Sequence, residues 1–336
     1  MIRTFFYIMA CLALNATPTL KSAELSEATI KKLRKATVEI HIKGQLRGGG
    51  AFLRASNGKT YVITAAHLFH DPQDSCKVIT EDEQIFSGSL IAYDLGHDLA
   101  LIEVTPGVAS YGSLPLAKTI PADTTPIYNL GPALHRRTLL LSGSVADSRI
   151  SYTDFTSSKG SIAHFFAAGI NPALTSGGIW VNQAGAIVGL QHGRLIGDKG
   201  APSSGISMVS PPNAIKALLH NRKTTKTPGI GAYLWEVWTV DHSLLRELPE
   251  GTEGLILNPV FKGRPIDQAG LKALDIIVAV DGKSIRRRHE FFNLIRSKPP
   301  GSSFKLKVLP NGAKTERIVE LVTDALEDQW GTGNQN

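Results

Sequence analysis

The chain has 336 residues, 42% of them hydrophobic and 19% charged. That balance excludes intrinsic disorder, which needs low hydrophobicity with high charge, and the length suits about two domains of ~100–200 residues each. The 36 Lys and Arg against 29 Asp and Glu leave a net charge of +7. The positive residues cluster only at Lys31–Lys35 and Arg286–Arg288 and are not interleaved with aromatics, so a solvated basic face is expected and nucleic acid is not an expected partner.

In chain order, residues 1–23 read as a signal peptide, with a basic start at Arg3, an apolar run Phe5–Leu14 and small residues near Ala16. The run is shorter than the ~20 apolar residues that span a bilayer. The expectation is an exported protein, periplasmic or secreted, with an uncleaved leader acting as a membrane anchor as the alternative. The cysteines are Cys11 and Cys76, and removal of the leader leaves Cys76 with no partner for a disulfide. Leu25–Arg34 has the spacing of a short amphipathic helix capped by Ser26. From residue 24 to 222 the pattern turns to short β-rich runs (Thr37–Ile42, Ala51–Leu53, Tyr61–Ile63, Ala100–Val104, Ile187–Leu190) punctuated by Gly, Pro, Asn and Ser, which predicts an antiparallel sandwich or barrel. A polar linker at 223–228 precedes a second unit at 229–325. The end, 326–336, reads as a polar, frayed tail. The composition shift at the linker predicts that the two units fold independently.

Three segments carry candidate chemistry. Tyr61-Val-Ile-Thr-Ala-Ala-His67 is a strand that ends in a small-residue corner bearing a histidine. His97-Asp98-Leu-Ala-Leu-Ile-Glu-Val104 sets an aspartate at the mouth of an apolar strand, and Thr175-Ser176-Gly177-Gly178 puts a serine on a Gly-rich turn. Amide hydrolysis needs a nucleophile, a base for its proton and a group that fixes the base's tautomer. Ser176, His67 and Asp98 supply these roles, and the glycines permit a turn that aims backbone N–H groups at a developing oxyanion. His67 and His70 have the spacing of a metal pair but no third ligand nearby, so no metal site is expected. His97 and His192 read as surface or rim residues. No phosphate loop or dinucleotide fingerprint appears, and no cofactor is expected.

His67 in Thr-Ala-Ala-His, Asp98 in Asp-Leu-Ala-Leu and Ser176 in Ser-Gly-Gly, 31 and 78 residues apart, resemble the trypsin-like serine proteases of the HtrA/Deg group. Gly48-Gly-Gly-Ala-Phe52 and Gly205-Ile-Ser-Met-Val-Ser-Pro-Pro-Asn213 agree with that resemblance. It implies a mostly β fold: two six-stranded antiparallel β-barrels with the triad in the cleft between them, followed by an α+β PDZ domain. The second unit carries the PDZ pattern in Gly254–Leu271 (strand, turn, short helix), Asp275–Gly282 (strand, turn) and Arg288–Ser297, an amphipathic helix that would clasp a C-terminal or extended peptide against an edge strand. The family's carboxylate loop, an aromatic/apolar pair followed by glycine, maps to Tyr233-Leu234-Trp235, with Trp235 where glycine is expected.

The resemblance implies polypeptide substrates, and it extends to a homotrimer, although the segment after the leader lacks the aromatic residues such contacts use. A substrate pocket is expected around Leu190, Gln191, His192, Ile206 and Met208. These stretches hold no acidic residue, so small aliphatic side chains are expected there rather than Lys or Arg. The oxyanion donors are expected from Leu174 and Ser176. Pro172-Ala173-Leu174-Thr175-Ser176 replaces the family's Pro-Gly-Asn-Ser, which predicts a Leu174 peptide flipped away at rest and low basal activity. A protease-fold scaffold or chaperone that binds peptides without cutting them is the alternative function.

Overall fold

A computed structural model of the protein describes residues 24–104, 111–132, 138–155, 160–196, 203–240 and 248–330. The expected leader, with Cys11, and residues 331–336 of the expected tail lie outside them. Helix α1 (Glu27–Ala36) starts where expected: the Ser26 hydroxyl accepts from Thr29 N, satisfying one of the donors left free at a helix N-terminus. Leu33 and Ala36 on its inner face are buried.

The next six strands, β1 (Thr37–Ile42), β2 (Gln45–Arg54), β3 (Thr60–Ala65), β4 (Ser75–Thr80), β5 (Ile85–Asp94) and β6 (Leu99–Val104), close a barrel in the order β1-β2-β3-β6-β5-β4. Its interior is filled by apolar side chains such as Ile40, Phe52, Ile63 and Leu101. A second barrel follows: β7 (Pro126–Pro132), β8 (Thr138–Phe155), β9 (Gly160–Gly169), β10 (Ile179–Val181), β11 (Ile187–Ile196) and β12 (Ser203–Ser210), ordered β10-β11-β12-β9-β8-β7. Trp180, Phe165 and Val209 pack its centre. Both barrels are antiparallel throughout. The two six-stranded barrels expected from the resemblance are present.

Helix α2 (Pro212–Asn221) ends on Arg222 in the left-handed conformation and leads into the C-terminal unit. There β13 (Pro228–Gly229) is followed by β14 (Ala232–Glu236), β15 (Leu255–Val260), α3 (Pro265–Gln268), β16 (Ile276–Val280), β17 (Lys283–Ser284), α4 (Arg288–Ile295), β18 (Ser303–Leu309), β19 (Arg317–Val322) and β20 (Asp324–Ala325). The main sheet runs β14-β15-β16-β18-β19, so β14 is an edge, while β13 pairs with β20.

Two expectations need correction. The described part of the tail is docked, not frayed. Leu326 is buried within the first barrel's apolar cluster, the Trp330 ring stands 4.1 Å from Tyr93, and the Glu327 carboxylate accepts from Leu95 N and Thr227 N. A polar average over the segment hides those two apolar anchors. The units are not separate either. Tyr152 of β8 and Ala163 of β9 belong to the apolar cluster of the C-terminal sheet, alongside Leu234 and Phe292.

Candidate active site

β3 leads into a single turn of 3-10 helix, Ala66–Leu68, which carries His67. The turn is held from the neighbouring strand, where Asp98 precedes β6. Asp98 O accepts from Ala66 N at 3.2 Å and its Oδ1 from His67 N at 2.8 Å. Asp98 Oδ2 lies 2.6 Å from His67 Nδ1. The carboxylate is almost fully buried, and Asp98 adopts φ 53°, a region that Asp tolerates better than most residues. Burial pulls the His67 imidazole down, but the Asp98 charge and hydrogen bond outweigh it and raise the pKa above its ordinary value. The bond fixes the proton on Nδ1 and leaves Nε2 free to accept one.

The serine arrives from the other barrel. Its loop is bonded onto β2: Ser176 O accepts from Gly49 N at 2.8 Å. A side chain at Gly48 would place Cβ 2.2 Å from Ser176 O, and one at Gly177 would sit 2.1 Å from Gly49 O. The glycine-rich strand singled out in the sequence is therefore the surface on which the nucleophile loop rests. Below the loop, Gln191 is a buried hub. Its Oε1 accepts from Asn129 Nδ2, Trp180 Nε1 and Ser207 Oγ (3.2, 3.2 and 3.3 Å), and its Nε2 donates to Thr175 Oγ1 at 2.7 Å. Thr175 Oγ1 in turn donates to Pro172 O at 2.8 Å. This network, which sequence reasoning missed, ties β11 to the turn carrying Ser176.

Leu174 lies at φ 70° with its side chain exposed. It takes the left-handed conformation that glycine reaches freely and that costs a side chain roughly 1–2 kcal/mol. Among the described residues, neither Leu174 N nor Ser176 N donates a hydrogen bond, so both are unspent, as an oxyanion hole requires. The Ser176 hydroxyl makes no hydrogen bond among the described residues. The contact between nucleophile and base is open, a common state before substrate binds.

The remaining expected positions divide. Leu190 is fully buried in the apolar cluster of the first barrel, so its side chain cannot wall a pocket. Gln191 serves the hub just described. His192, expected at the rim, is buried, and neither ring nitrogen is bonded among the described residues; burial, with His164, His67 and His97 adding to it, drives its pKa well below the ordinary value. It packs against the Phe155 and His164 rings at 6.1 and 5.4 Å, and Phe155 stands 5.4 Å from His67. His97 pairs with Asp94 at 2.9 Å. Met208 is buried, and Ile206 is half-buried beside it on β12. Among the described residues, no group of three or more His, Cys, Asp or Glu is arranged to hold a metal ion. In the C-terminal unit, Tyr233, Leu234 and Trp235 lie within β14, not in a loop, and Leu234 and Trp235 pair with β15. The apolar–glycine step stands just upstream at Ile230–Gly231, where Gly231 has φ 72° and the sequence shows Gly-Ile-Gly-Ala.

Comparison with known proteins agrees with this architecture. The family described as "Trypsin-like peptidase domain" matches residues 48–190, and that described as "PDZ domain" matches residues 236–321. A "Serine protease Do-like HtrA" of Bacillus subtilis (strain 168) is 28% identical over 294 residues, covering 82% of this chain and 63% of the relative. A "Probable periplasmic serine endoprotease DegP-like" of Chlamydia pneumoniae is 26% identical over 293 residues, covering 85% of this chain and 57% of its own length. This chain thus spans less than two thirds of either relative. Among solved structures, "HtrA-type protease AlgW with decapeptide" has a TM-score of 0.63 at 16% identity, covering 90% of this chain and 99% of that one. That likeness is one of fold.

Proposed function

We infer that this chain, which is of HtrA type with a trypsin-like peptidase domain followed by a PDZ domain, is a serine endopeptidase that cleaves unfolded or damaged exported proteins through an acyl-enzyme. His67 Nε2 takes the Ser176 proton as Oγ attacks the scissile carbonyl, then returns a proton to the leaving amine. Asp98 holds the imidazole tautomer and stabilises the imidazolium. The N–H groups of Leu174 and Ser176 receive the negative charge that builds on the carbonyl oxygen. The edge of β14 and the flank of α4 supply a cleft for a C-terminal or extended peptide, with Ile230–Gly231 rather than Tyr233–Trp235 as its loop. The absence of acidic residues around Ile206 and Met208 supports small aliphatic side chains before the scissile bond. The homotrimer implied by the resemblance belongs to the same reading, and light scattering on the full chain tests it.

The observation that carries the reading is the buried His67–Asp98 pair at 2.6 Å on one barrel, with the serine turn of the other bonded onto the same barrel's β2. Casein digestion by wild type, Ser176→Ala and His67→Ala tests it: both variants should fold and lose cleavage. Wild-type cleavage by purified Ser176→Ala would remove Ser176 as nucleophile. The strained Leu174 and the unbonded Ser176 hydroxyl favour a second reading, a catalytically weak scaffold or chaperone. It predicts negligible digestion by the wild type itself.

A further inference from the structure

The loop that presents Asp98 is tied down at nearly every peptide. His97 N donates to Asp94 Oδ1 at 3.1 Å, and His97 O accepts from Ser210 Oγ at 2.6 Å. Gly96 O accepts from Ala163 N at 2.8 Å. These ties come from the barrels. Two others come from beyond the linker: Leu95 N donates to Glu327 Oε1 at 3.3 Å, and Arg296 Nη1 donates to Gly96 O at 3.2 Å. Asp98 needs the support, because φ 53° is sparsely populated for a residue with a side chain and persists only where its surroundings impose it.

Arg296 is built for that purpose more than for an ion pair. It stands at the C-cap of α4, and its Nη2 donates to Ser161 O on β9. The guanidinium lies over the Tyr152 and Phe292 rings at 5.0 and 5.3 Å, and its buried Nε has no partner among the described residues. No carboxylate among the described residues forms an ion pair with it. A cation held on two main-chain carbonyls is costly to desolvate, and the two it joins belong to the Asp98 loop and to the strand packed behind that loop. The planar, rigid fork of arginine suits such bridging better than the point charge of lysine.

We propose that Arg296 is a positioning residue for the Asp98 carboxylate, so that a side chain of the PDZ unit completes the catalytic arrangement of the peptidase unit. The proposal rests on the protease reading for its kinetic consequence but not for its structural one. With Arg296 removed, Gly96 O keeps, among the described residues, only Ala163 N, and the loop can relax away from His67. Misplacement by a fraction of an ångström to 1 Å costs up to about a hundredfold. We expect kcat to fall roughly ten- to a hundredfold in Arg296→Ala with KM for a short peptide unchanged, and Arg296→Lys to recover part of it by returning one donor.

The full-length chain is the material for the test. The proton shared by His67 Nδ1 and Asp98 Oδ2 should resonate far downfield in the proton NMR spectrum, and Asp98→Asn assigns it. In Arg296→Ala that signal should weaken or move upfield while the thermal melt stays cooperative. Arg296→Lys should be intermediate, and it decides the matter if the alanine variant does not fold. Folded Arg296 variants with the wild-type signal and wild-type kcat, or with a change in KM alone, overturn the proposal. A wild type that shows the signal but cleaves nothing would remove the protease reading, and the response of the signal to Arg296 substitution would still decide the positioning role.

Discussion

At the scale of single residues, Leu174 and the histidines carry the sharpest expectations. Leu174 already sits at φ 70°, so Leu174→Gly should relieve strain and match or exceed wild-type turnover. Leu174→Val puts a β-branched side chain where that conformation is a genuine outlier. It should displace one oxyanion donor and cost about 10²–10³ in kcat, read by initial rates on a peptide ester. A valine variant with wild-type turnover would show that this N–H is not a donor. His67 has its pKa raised by Asp98, so its contribution to stability is complete below about 6.5 and is lost as pH rises through the folded value. Catalysis needs the neutral imidazole, so the residue works best where it stabilises least. His164 has the opposite sign. Burial lowers its pKa from 6.5 to about 4, so the folded state resists protonation and stability falls as pH drops across that window, by about 3 kcal/mol. His164→Gln should make the decline of Tm from pH 6.5 to 4 shallower, measured by calorimetry. An unchanged slope would assign the acid sensitivity to other groups.

At the scale of elements, the sequence was most legible where one residue type at one spacing serves one purpose. The helix capped by Ser26, the strand at Thr37–Ile42 and the corners bearing His67 and Asp98 follow from local patterns, because hydrophobic alternation and cap chemistry act over a few residues. The glycine run at Gly48–Gly50 was visible as a motif, but its purpose, the close approach of the Ser176 loop, depends on a contact across more than 120 residues of chain. The Gln191 hub was not legible at all, since a lone glutamine in a strand carries no signal. Tyr233-Leu234-Trp235 reads as a loop because its aromatic pair resembles the motif, whereas these residues lie in β14, and Ile230–Gly231 just upstream is the loop proposed in their place. The tail was misread because only Leu326 and Trp330 are apolar in it. Leu326 is 2% exposed and touches the position of Gly160 on β9, so Leu326→Ala should cost about 2–5 kcal/mol, read as a lower urea midpoint. A loss below 0.5 kcal/mol would mean that the segment is not seated there.

At the scale of the whole molecule, the units that composition separates are joined by structure. Leu326 enters the first barrel's cluster, and Tyr152 and Ala163 enter the PDZ cluster. A fragment of residues 24–226 should therefore melt at lower temperature than the full chain and label poorly with a serine-directed fluorophosphonate. Equal melting and labelling would restore the independence that the linker's composition implies. The hydrogen bond from Gly49 N to Ser176 O has a different consequence. On the proposed reading, base and nucleophile stand on different barrels, so the site exists only while the two are held together. Leu130, Ile179 and Leu190 of the second barrel share one apolar cluster with Leu99 and Leu101 of the first, and a joint built from core side chains does not part while the cores on either side stay packed. On slow heating, hydrolysis should therefore be lost in the same transition as the folded spectra of both barrels, and an earlier loss would show that the joint opens by itself.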